Sequence, residues 1–389
     1  MIRRVDSSLL YELKKFGAVG AEKCINCGNC TAICSLASNE DLFPRRMIRL
    51  AQLGMKDELL GSKELWLCYN CGNCSETCPQ QAEPANFMAA ARSYALASYS
   101  PFKIGNLFCR RPFLGSFVAF LMVLFLGIFM YGERKTMATN TLRLFGFVPY
   151  PFIHKVGFAA IILISLISLL AILTMITRIL RLNKVSLGTR MNWAQAFWDA
   201  AVVQSLGQKR YRKECEASGN IKAWHLSKWF VHAATMWGFL GLLSATVLDY
   251  LLEIVGVKAT GTFVQPWYPT RLIGTLSGLL FMYGVSILLY RRWRASDKSH
   301  SLSRSSDWIF LILLWSSGLT GFIIEAALYL PGAPAWGYWI FIFHIAVSMT
   351  LLLLLPFTKF AHAIYRVVAL YIRALKPVDR QGTLPAGAD

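Results

Sequence analysis

The cysteines of this chain are concentrated in two runs that repeat each other: of ten cysteines, the first run holds Cys24, Cys27, Cys30 and Cys34, and the second holds Cys68, Cys71, Cys74 and Cys78. Both runs have the spacing C-x2-C-x2-C-x3-C. In this pattern the first three cysteines bind one cubane cluster and the fourth binds the neighbouring cluster. The spacing therefore predicts two [4Fe–4S] clusters.

Crossed ligation divides the cysteines into two sets. One cluster is expected to take Cys24, Cys27, Cys30 and Cys78, and the other Cys68, Cys71, Cys74 and Cys34. Gly28 and Gly72 would let the backbone approach the sulfurs, and the fourth cysteine of each run is expected to begin a helix. The alternative is a pair of zinc sites, but zinc usually takes two separated C-x2-C pairs. Two complete runs, the second followed by Pro79, favour clusters.

The histidines form a second candidate set. Five of the six lie in or at the edges of apolar segments, where ionisable side chains are costly and usually functional. Paired imidazoles from facing helices suggest axial ligands of haem b. His344 and His362 are eighteen residues apart, so on one continuous helix they would share a face with a rise of roughly 27 Å. That separation suits one haem near each side of a membrane.

Depth along the helices predicts two ligand pairs. The inner haem would use His362 with His232, and His225 is the substitute because it lies outside the apolar segment. The outer haem would use His344 with His154. The alternative for each of these is an interfacial or hydrogen-bonded core histidine.

The elements that must carry these histidines are membrane helices. The chain has 389 residues, 55% of them hydrophobic, and six apolar segments are long enough to cross a hydrocarbon core of about 30 Å. They lie at about 113–131, 153–176, 229–252, 272–290, 308–330 and 336–357. The first segment begins directly after the cysteine-rich part, which therefore forms a head outside the membrane.

The formal net charge of +19 is compatible with nucleic-acid binding or with basic loops on one membrane face. Lysine and arginine are concentrated before segment one, between segments two and three, between four and five, and after six. The loop after segment one is an exception, with Arg134, Lys135 and Arg143. This distribution predicts a multi-pass protein of the inner (cytoplasmic) membrane with the head and both termini in the cytoplasm, and no nucleic-acid partner.

The N-terminus supports the same compartment. The start, Met1 to Asp6, is polar and has no apolar segment behind it, so no secretory signal is expected. Cytoplasmic thiols stay reduced, which favours metal ligation over disulfides for clustered cysteines.

These observations predict a mainly α fold. Residues 1–105 would form an α-helical ferredoxin head, since residues 42–60 between the cysteine runs have apolar residues at helical spacing. Residues 106–376 would form a six-helix haem b domain, followed by a C-terminal tail at 377–389. Residues 191–211 are expected to form an amphipathic helix, either on the inner membrane face or packed under the head.

The two parts resemble known families. Residues 1 to about 100, with their paired cysteine runs, are similar to the small iron–sulfur subunit of heterodisulfide reductase. The part after about 110 resembles the cytochrome b subunit of that enzyme and, more distantly, the gamma subunit of respiratory nitrate reductase, whose last helix carries two haem ligands at the spacing of His344 and His362. His232 matches the first ligand of an earlier helix, but Leu242 stands at the second, which directs attention to His154.

The combination of both parts in one chain resembles the family of membrane subunits of the quinone-interacting membrane-bound oxidoreductase complexes. That resemblance implies menaquinone as substrate and two soluble flavin- and cluster-binding partner subunits. It also implies adenylylsulfate reductase as the electron acceptor, in sulfate respiration. Glu325 is a candidate for handling a quinol proton; the alternative is an interface carboxylate.

Two other functions remain open on the sequence. One is a heterodisulfide reductase-like membrane redox subunit that serves another thiol or disulfide partner. The other is a cluster-bearing membrane anchor without haem. We find no glycine-rich dinucleotide loop and no Cys-Cys disulfide-reducing motif, so substrate chemistry is expected on partner subunits or on the quinone.

Overall fold

The computed structural model describes residues 4–38, 41–183, 193–214, 223–259, 264–295 and 305–375. Regular secondary structure within these ranges is entirely helical, which confirms the predicted α fold. The predicted tail at 377–389, and the first two residues of the predicted amphipathic helix at 191–211, lie outside the described residues.

The head consists of short helices around the cysteine loops. They are α1 Leu9–Lys15, α2 Asn29–Ala32, α3 Arg45–Gln52, α4 Lys56–Leu60, α5 Glu64–Leu67, α6 Asn73–Glu76, α7 Pro84–Tyr99 and α8 Gly105–Arg110. The predicted helical insertion at 42–60 is therefore two helices, α3 and α4. The chain turns between them at Gly54, whose φ of +70° places it in the left-handed region that favours glycine.

Six helices of the remaining chain are long and apolar enough to cross a membrane, which confirms the predicted multi-pass character. The helices in chain order are α9 Pro112–Gly132, the short α10 Leu144–Phe147, α11 Tyr150–Asn183, the short α12 Trp193–Phe197 and α13 Lys209–Glu214, then α14 Lys228–Ile254, α15 Pro269–Trp293, α16 Ser305–Tyr329 and α17 Ala335–Leu353. A π-helical segment, Trp198–Leu206, lies between α12 and α13.

Helix α11 is longer than predicted because its C-terminal part belongs to the head. The prediction ended this helix at residue 176, whereas α11 continues to Asn183. Ala171, Met175 and Ile179 are fully buried in the same hydrophobic core as the head helices. The head therefore rests directly on the end of a membrane helix.

The prediction that one continuous helix carries both His344 and His362 was wrong. Helix α17 ends at Leu353, two 3₁₀ turns follow at Leu355–Phe357 and Lys359–Ala361, and a separate helix, α18 His362–Ala374, begins at the histidine itself. Pro356 explains the break, because proline lacks an amide hydrogen and disfavours helical geometry at the preceding residue. The five-turn relation between the two histidines therefore does not apply.

Helix α18 packs the head onto the membrane bundle. Tyr365, Ala369 and Leu370 are buried in the core that also contains the head helices. The Tyr365 ring lies 4.8 Å from the ring of Trp66, between centroids. Near the end of the helix, Arg373 Nε lies 2.7 Å from a carboxylate oxygen of the buried Asp41. The helix that begins with His362 is thus fixed to the cysteine-bearing head.

Helix α14, which carries His232, is held closely against α15. A Cβ atom added at Gly238 would meet the backbone nitrogen of Phe281 at 2.5 Å, and one at Gly284 would meet the Thr235 hydroxyl at 2.4 Å. Small residues at such contacts allow membrane helices to pack backbone against backbone. The position of His232 is therefore set by close helix packing.

Candidate functional site

The two cysteine loops repeat in conformation as well as in sequence. Asn26 and Gly28 have φ values of 61° and 93°, and Asn70 and Gly72 have φ values of 59° and 99°. Glycine, and to a lesser degree asparagine, occupy this left-handed region at low cost. The C-x-N-C-G-N-C pattern therefore encodes the same tight loop twice.

The helix in each run starts earlier than predicted. Gly28 and Gly72 are the N-cap residues of α2 and α6, so Cys30 and Cys74 lie within these helices and the fourth cysteines lie just after them. The expectation that the fourth cysteine begins a helix was wrong. The left-handed glycine ends the loop, and helical geometry resumes at the next residue.

The first three cysteines of the first run lie beside the last cysteine of the second run. Cys24, Cys27, Cys30 and Cys78 line one shallow pocket together with Arg45 and Pro79. Cys27 is exposed, and the neighbouring Ile25 side chain is 64% exposed. We call this pocket the outer cysteine site. Its four cysteines are the set that crossed ligation predicts.

The remaining four cysteines form a second group, which we call the inner cysteine site because Cys68 of this group contacts helix α18 through Arg366. Cys74 interacts electrostatically with Cys68, Cys71 and Cys34. Burial raises the pKa of the Cys34 thiol to about 11 and also raises the pKa of Cys74. Because iron binds thiolates, a bound cation would offset this cost. The backbone N–H of Asn70 already donates to Cys68 Sγ at 3.3 Å.

The two sites are joined through the repeated loops. The Asn29 side-chain amide donates to the Thr77 carbonyl at 2.6 Å, which links the first run to the second. Within the described ranges, no three His, Cys, Asp or Glu side chains converge as ligands of one metal ion. The ligand assignment itself stays a prediction.

His232 and His362 face each other. Their ring centroids are 6.5 Å apart, at an interplanar angle of 64°. Nδ1 of His362 donates to the Lys359 carbonyl, so its Nε2 remains free. Among the residues that the structure describes, Nδ1 of His232 is buried without a hydrogen-bond partner. Two imidazoles on opposite sides of one iron, at about 2 Å per metal–nitrogen bond, would have centroids about 6 Å apart. His232 and His362 would therefore be placed to hold a haem iron, which would supply one-electron chemistry there.

An ion-pair network fixes the turn before His362. Asp307 lies 3.0 Å from Lys359 Nζ and 2.8 Å from Arg292 Nη1. Lys359 is also the residue whose carbonyl accepts from His362. A ring N–H held by a carbonyl sets the tautomer and orientation of a metal-binding histidine. The network therefore supports one orientation of His362.

The substitute ligand His225 lies elsewhere. It belongs to a 3₁₀ turn at Trp224–Leu226 and is exposed. Its ring packs edge-on against Trp224, and its carbonyl accepts from the Tyr283 hydroxyl at 2.9 Å. Of the two predicted partners for His362, the structure brings His232 into ring contact.

The predicted outer pair is not in ring contact within the described residues. His344 Nδ1 lies 2.9 Å from the Thr320 hydroxyl, which donates to the Ser316 carbonyl and therefore accepts from the imidazole. His154 stacks on Tyr250, with centroids 4.9 Å apart, and contacts Tyr150 at 4.0 Å. His344 thus has its Nε2 free for a ligand, and the pairing with His154 stays a prediction.

Glu325 is held by neighbours on α15. Its carboxylate accepts from the Thr275 hydroxyl at 2.7 Å and lies 3.7 Å from Arg271 Nε. These two contacts agree with the alternative that Glu325 is an ordinary carboxylate at the membrane interface. A role in quinol proton transfer stays a prediction.

Arg366 was not predicted as a site residue, because in the sequence it is one of several positive charges after the last span. Its guanidinium donates to the carbonyls of Trp66 at 3.2 Å and Cys68 at 3.4 Å, and it lies 4.0 Å from the centre of the Tyr69 ring. The available signal was spacing, because Arg366 follows His362 by four residues and so shares its helix face.

Tyr211 was also missed. Its ring lies 5.0 Å from Tyr69, next to Cys68, and 5.8 Å from His232. Tyr211 lies in α13, within the segment predicted as an amphipathic helix. Ala200 of the same segment is buried in the head core, whereas Trp193, Phe197 and Trp198 are exposed. The segment therefore packs under the head and also presents an apolar face.

Comparison with known proteins assigns both parts of the chain. Residues 20–82 match the family model of the 4Fe-4S dicluster domain, and residues 112–383 match that of citrate utilization protein B. The dicluster match agrees with the predicted iron–sulfur head.

The curated relatives match the head. The chain is 31% identical over 114 residues to a subunit of the H(2):CoB-CoM heterodisulfide,ferredoxin reductase of Methanothermobacter thermautotrophicus, covering 29% of this chain and 58% of the relative. It is 34% identical over 96 residues to a protein of Archaeoglobus profundus described as like a heterodisulfide reductase subunit, covering 24% and 50%. It is 35% identical over 77 residues to the iron-sulfur subunit of the CoB--CoM heterodisulfide reductase of Methanopyrus kandleri, covering 20% and 40%. The chain thus spans about half the length of these relatives.

Proposed function

The chain belongs to the citrate utilization protein B family, whose model covers most of its length, and from this premise we propose that it is a membrane electron-transfer subunit of an oxidoreductase complex. We propose that the chain has three parts: residues 1–105 hold two [4Fe–4S] clusters, residues 106–376 hold haem b, and residues 377–389 form a tail. The head is similar to subunits of heterodisulfide reductases, which supports the redox role.

The observation that carries the proposal is the His232–His362 pair. Two imidazoles with centroids 6.5 Å apart lie at the end of a bundle of six apolar helices. One of them begins the helix that packs into the cysteine-bearing head. An electron conduit needs redox groups that are close together. This chain has a histidine pair and two cysteine groups, joined by a helix that packs into the head.

The residues of this chain hold and orient redox groups. Haem and iron–sulfur clusters supply one-electron chemistry when bound. Our assignment gives Cys24, Cys27, Cys30 and Cys78 to one cluster and Cys68, Cys71, Cys74 and Cys34 to the other. His232 and His362 hold the inner haem, and His344 with His154 hold a second, outer haem. The apolar helices keep water away from the histidines.

At the finer level we propose menaquinone as the membrane substrate, with Glu325 as a candidate proton-handling group. Two soluble flavin- and cluster-binding subunits would be the cytoplasmic partners, and adenylylsulfate reductase the acceptor in sulfate respiration. The head and both termini would face the cytoplasm. The resemblance to the membrane subunits of quinone-interacting oxidoreductases and the distribution of basic loops support this version.

A second candidate follows from the relatives. Two of the three relatives described above are named as subunits of heterodisulfide reductases, so the same conduit would serve a partner that reduces a disulfide. The histidine pair has the same role in both versions, and only the soluble partner differs.

The test is a haem, iron and acid-labile sulfide assay on the purified chain, with visible spectra before and after addition of a menaquinol analogue. We expect about eight cluster irons, the content of two [4Fe–4S] clusters, in addition to the iron of b-type haem that the quinol reduces. Clusters without haem would leave a membrane anchor and overturn the quinone-linked function. One haem instead of two would keep the function and discard the outer pair.

A further inference from the structure

The inner cysteine site is the one connected to the histidine pair. Arg366 lies one helical turn after His362 on α18. Its guanidinium donates to the Cys68 carbonyl at 3.4 Å and covers the ring of Tyr69 at 4.0 Å. A single side chain therefore joins the helix that begins with His362 to the loop that begins the second cysteine run.

An aromatic contact makes the same connection from the other histidine. The Tyr211 ring lies 5.8 Å from His232 and 5.0 Å from Tyr69. Tyr69 is the residue after Cys68. Arg366, from the helix that begins with His362, and Tyr211, beside His232, thus both contact Tyr69 of the inner cysteine site.

The outer cysteine site has a different environment. Its Cys27 is exposed, and the neighbouring Ile25 is 64% exposed. Arg45 lines this site, so a cation alone does not distinguish the two sites. The distinction is position: Arg366 comes from the histidine-bearing helix, and among the described residues it contacts the loop of the inner site through Cys68 and Tyr69.

The charge of Arg366 is available to act on that site. Among the described residues, no carboxylate lies within ion-pair distance of this guanidinium, and its bonded partners are carbonyl oxygens and an aromatic ring. Arg92 adds a second guanidinium, which donates to the same Cys68 carbonyl at 3.0 Å. A reduced cluster carries one more negative charge than an oxidised one, so an adjacent cation favours the reduced form.

We infer that Arg366 is a positioning residue that raises the reduction potential of the cluster bound at the inner cysteine site, and that this cluster is the membrane-side one of the two. The outer cysteine site then holds the cluster that faces the soluble partners. This inference rests on the proposed function for the presence of clusters, and it adds their order and the residue that sets one potential.

The experiment is a redox titration of the purified complete chain, followed by electron paramagnetic resonance of the clusters. The signal of the inner site is first identified as the one that Cys71→Ser changes, and the signal of the outer site as the one that Cys27→Ser changes. Arg366→Gln is then compared with the unaltered chain. We expect the reduced-to-oxidised ratio of the inner cluster at fixed potential to fall at least tenfold, which is about 59 mV for a one-electron couple.

Arg373→Gln is the matched control, because Arg373 is on the same helix and also binds the head, through Asp41, but not a cysteine loop. It should leave both potentials unchanged. Arg366→Lys retains the charge and should give less than half the shift of Arg366→Gln. If Arg366→Gln fails to assemble, Arg366→Met, which also lacks the charge, is titrated in its place: a lower potential confined to the inner signal supports the inference, and no shift contradicts it.

Equal shifts of both signals, or a shift confined to the outer signal, would overturn the inference. Those results leave the proposed function intact, because haem content and quinol reduction are scored on the same samples. Conversely, a chain with clusters but no haem would contradict the proposed function while the effect of Arg366 on the inner cluster would still be measured.

Discussion

The imidazole rings of His232 and His362 lie with their centroids 6.5 Å apart, although they belong to different helices and His362 lies beyond the long membrane helices. The pair lies at the end of the membrane bundle that contacts the head. The same helix that presents His362 carries Arg366 to the Cys68 loop. The position of this pair leads to the first prediction below.

Replacing His362 by alanine should remove one haem, because the opposing His232 cannot hold the iron from both sides. His232→Ala should remove the same haem, and the double variant should lose no more than either single one. Haem per chain is measured by pyridine haemochrome absorbance.

His225→Ala is the control, since His225 is exposed and in contact with Trp224 rather than with His362. It should retain the full haem content. Full haem in His362→Ala, or loss in His225→Ala, would contradict the assignment of the inner pair.

The hydrogen bond between Thr320 and His344 Nδ1, 2.9 Å long, leads to a second prediction. Thr320→Val removes the acceptor that orients the ring, and loss of such a partner typically weakens metal binding about 10- to 100-fold. We expect a weakened affinity of that size for one haem, seen in haem titration of the stripped chain, with the other haem unaffected.

Thr350→Val is the matched control on α17. Thr350 is fully buried and its hydroxyl bonds only to the Ala346 carbonyl of its own helix. If both valine variants weaken haem binding equally, the effect comes from helix packing and His344 is not a ligand.

Crossed ligation gives a third prediction. Cys78 lines the pocket of Cys24, Cys27 and Cys30, so Cys78→Ser should alter the same cluster signal as Cys27→Ser. It should leave the signal that Cys71→Ser alters. Iron and sulfide content together with paramagnetic resonance spectra distinguish the two clusters.

Cys109→Ser serves as the control, because Cys109 is a buried cysteine outside both runs. It should retain both clusters. Should Cys78→Ser instead change the Cys71 signal, each run would bind its own cluster.

The attachment of the head to the bundle leads to a fourth prediction. Asp41 is 1% exposed and pairs with Arg373 at 2.7 Å and Lys63 at 3.3 Å. Breaking a buried ion pair from one side is strongly destabilising, so Asp41→Asn should cost about 3 kcal/mol. The measurement is the temperature at which cluster absorbance is lost in detergent.

Asp57→Asn is the exposed counterpart, since Asp57 is 80% exposed and lies 3.9 Å from Arg178 of α11. Surface pairs contribute at most about 1 kcal/mol. This variant should therefore lose its cluster absorbance at the same temperature as the unaltered chain. Equal melting of both variants would show that Asp41 does not hold α18 to the head.

Much of this protein was predictable from local pattern. Cysteine spacing predicted an iron–sulfur head, which the dicluster family match confirms, and runs of apolar residues predicted six membrane helices that the structure contains. Both signals are local, because ligand loops and membrane helices satisfy their backbone bonds within a short segment. The left-handed Asn26 and Gly28 show how closely a short motif can specify a backbone.

Prediction failed where a single residue redirected the chain. Pro356 separates α17 from α18, and the apolar run through residue 357 gave no indication of a second helix returning to the head. The end of α11 was also placed too early, because its last turns alternate polar residues with Ile179, which is buried against the head helices.

The sequence by itself determined the ligand types and the helices that carry them, since both depend on residues close together in the chain. The tertiary structure brings His232 opposite His362 and Cys78 beside the first run, as the sequence predicted. It alone decided that Arg366 and Tyr211 lie between the histidines and the Cys68 loop. These meetings depend on how helices far apart in the chain pack together. Packing is set by the fit of many side chains at once, and no spacing within one segment records it.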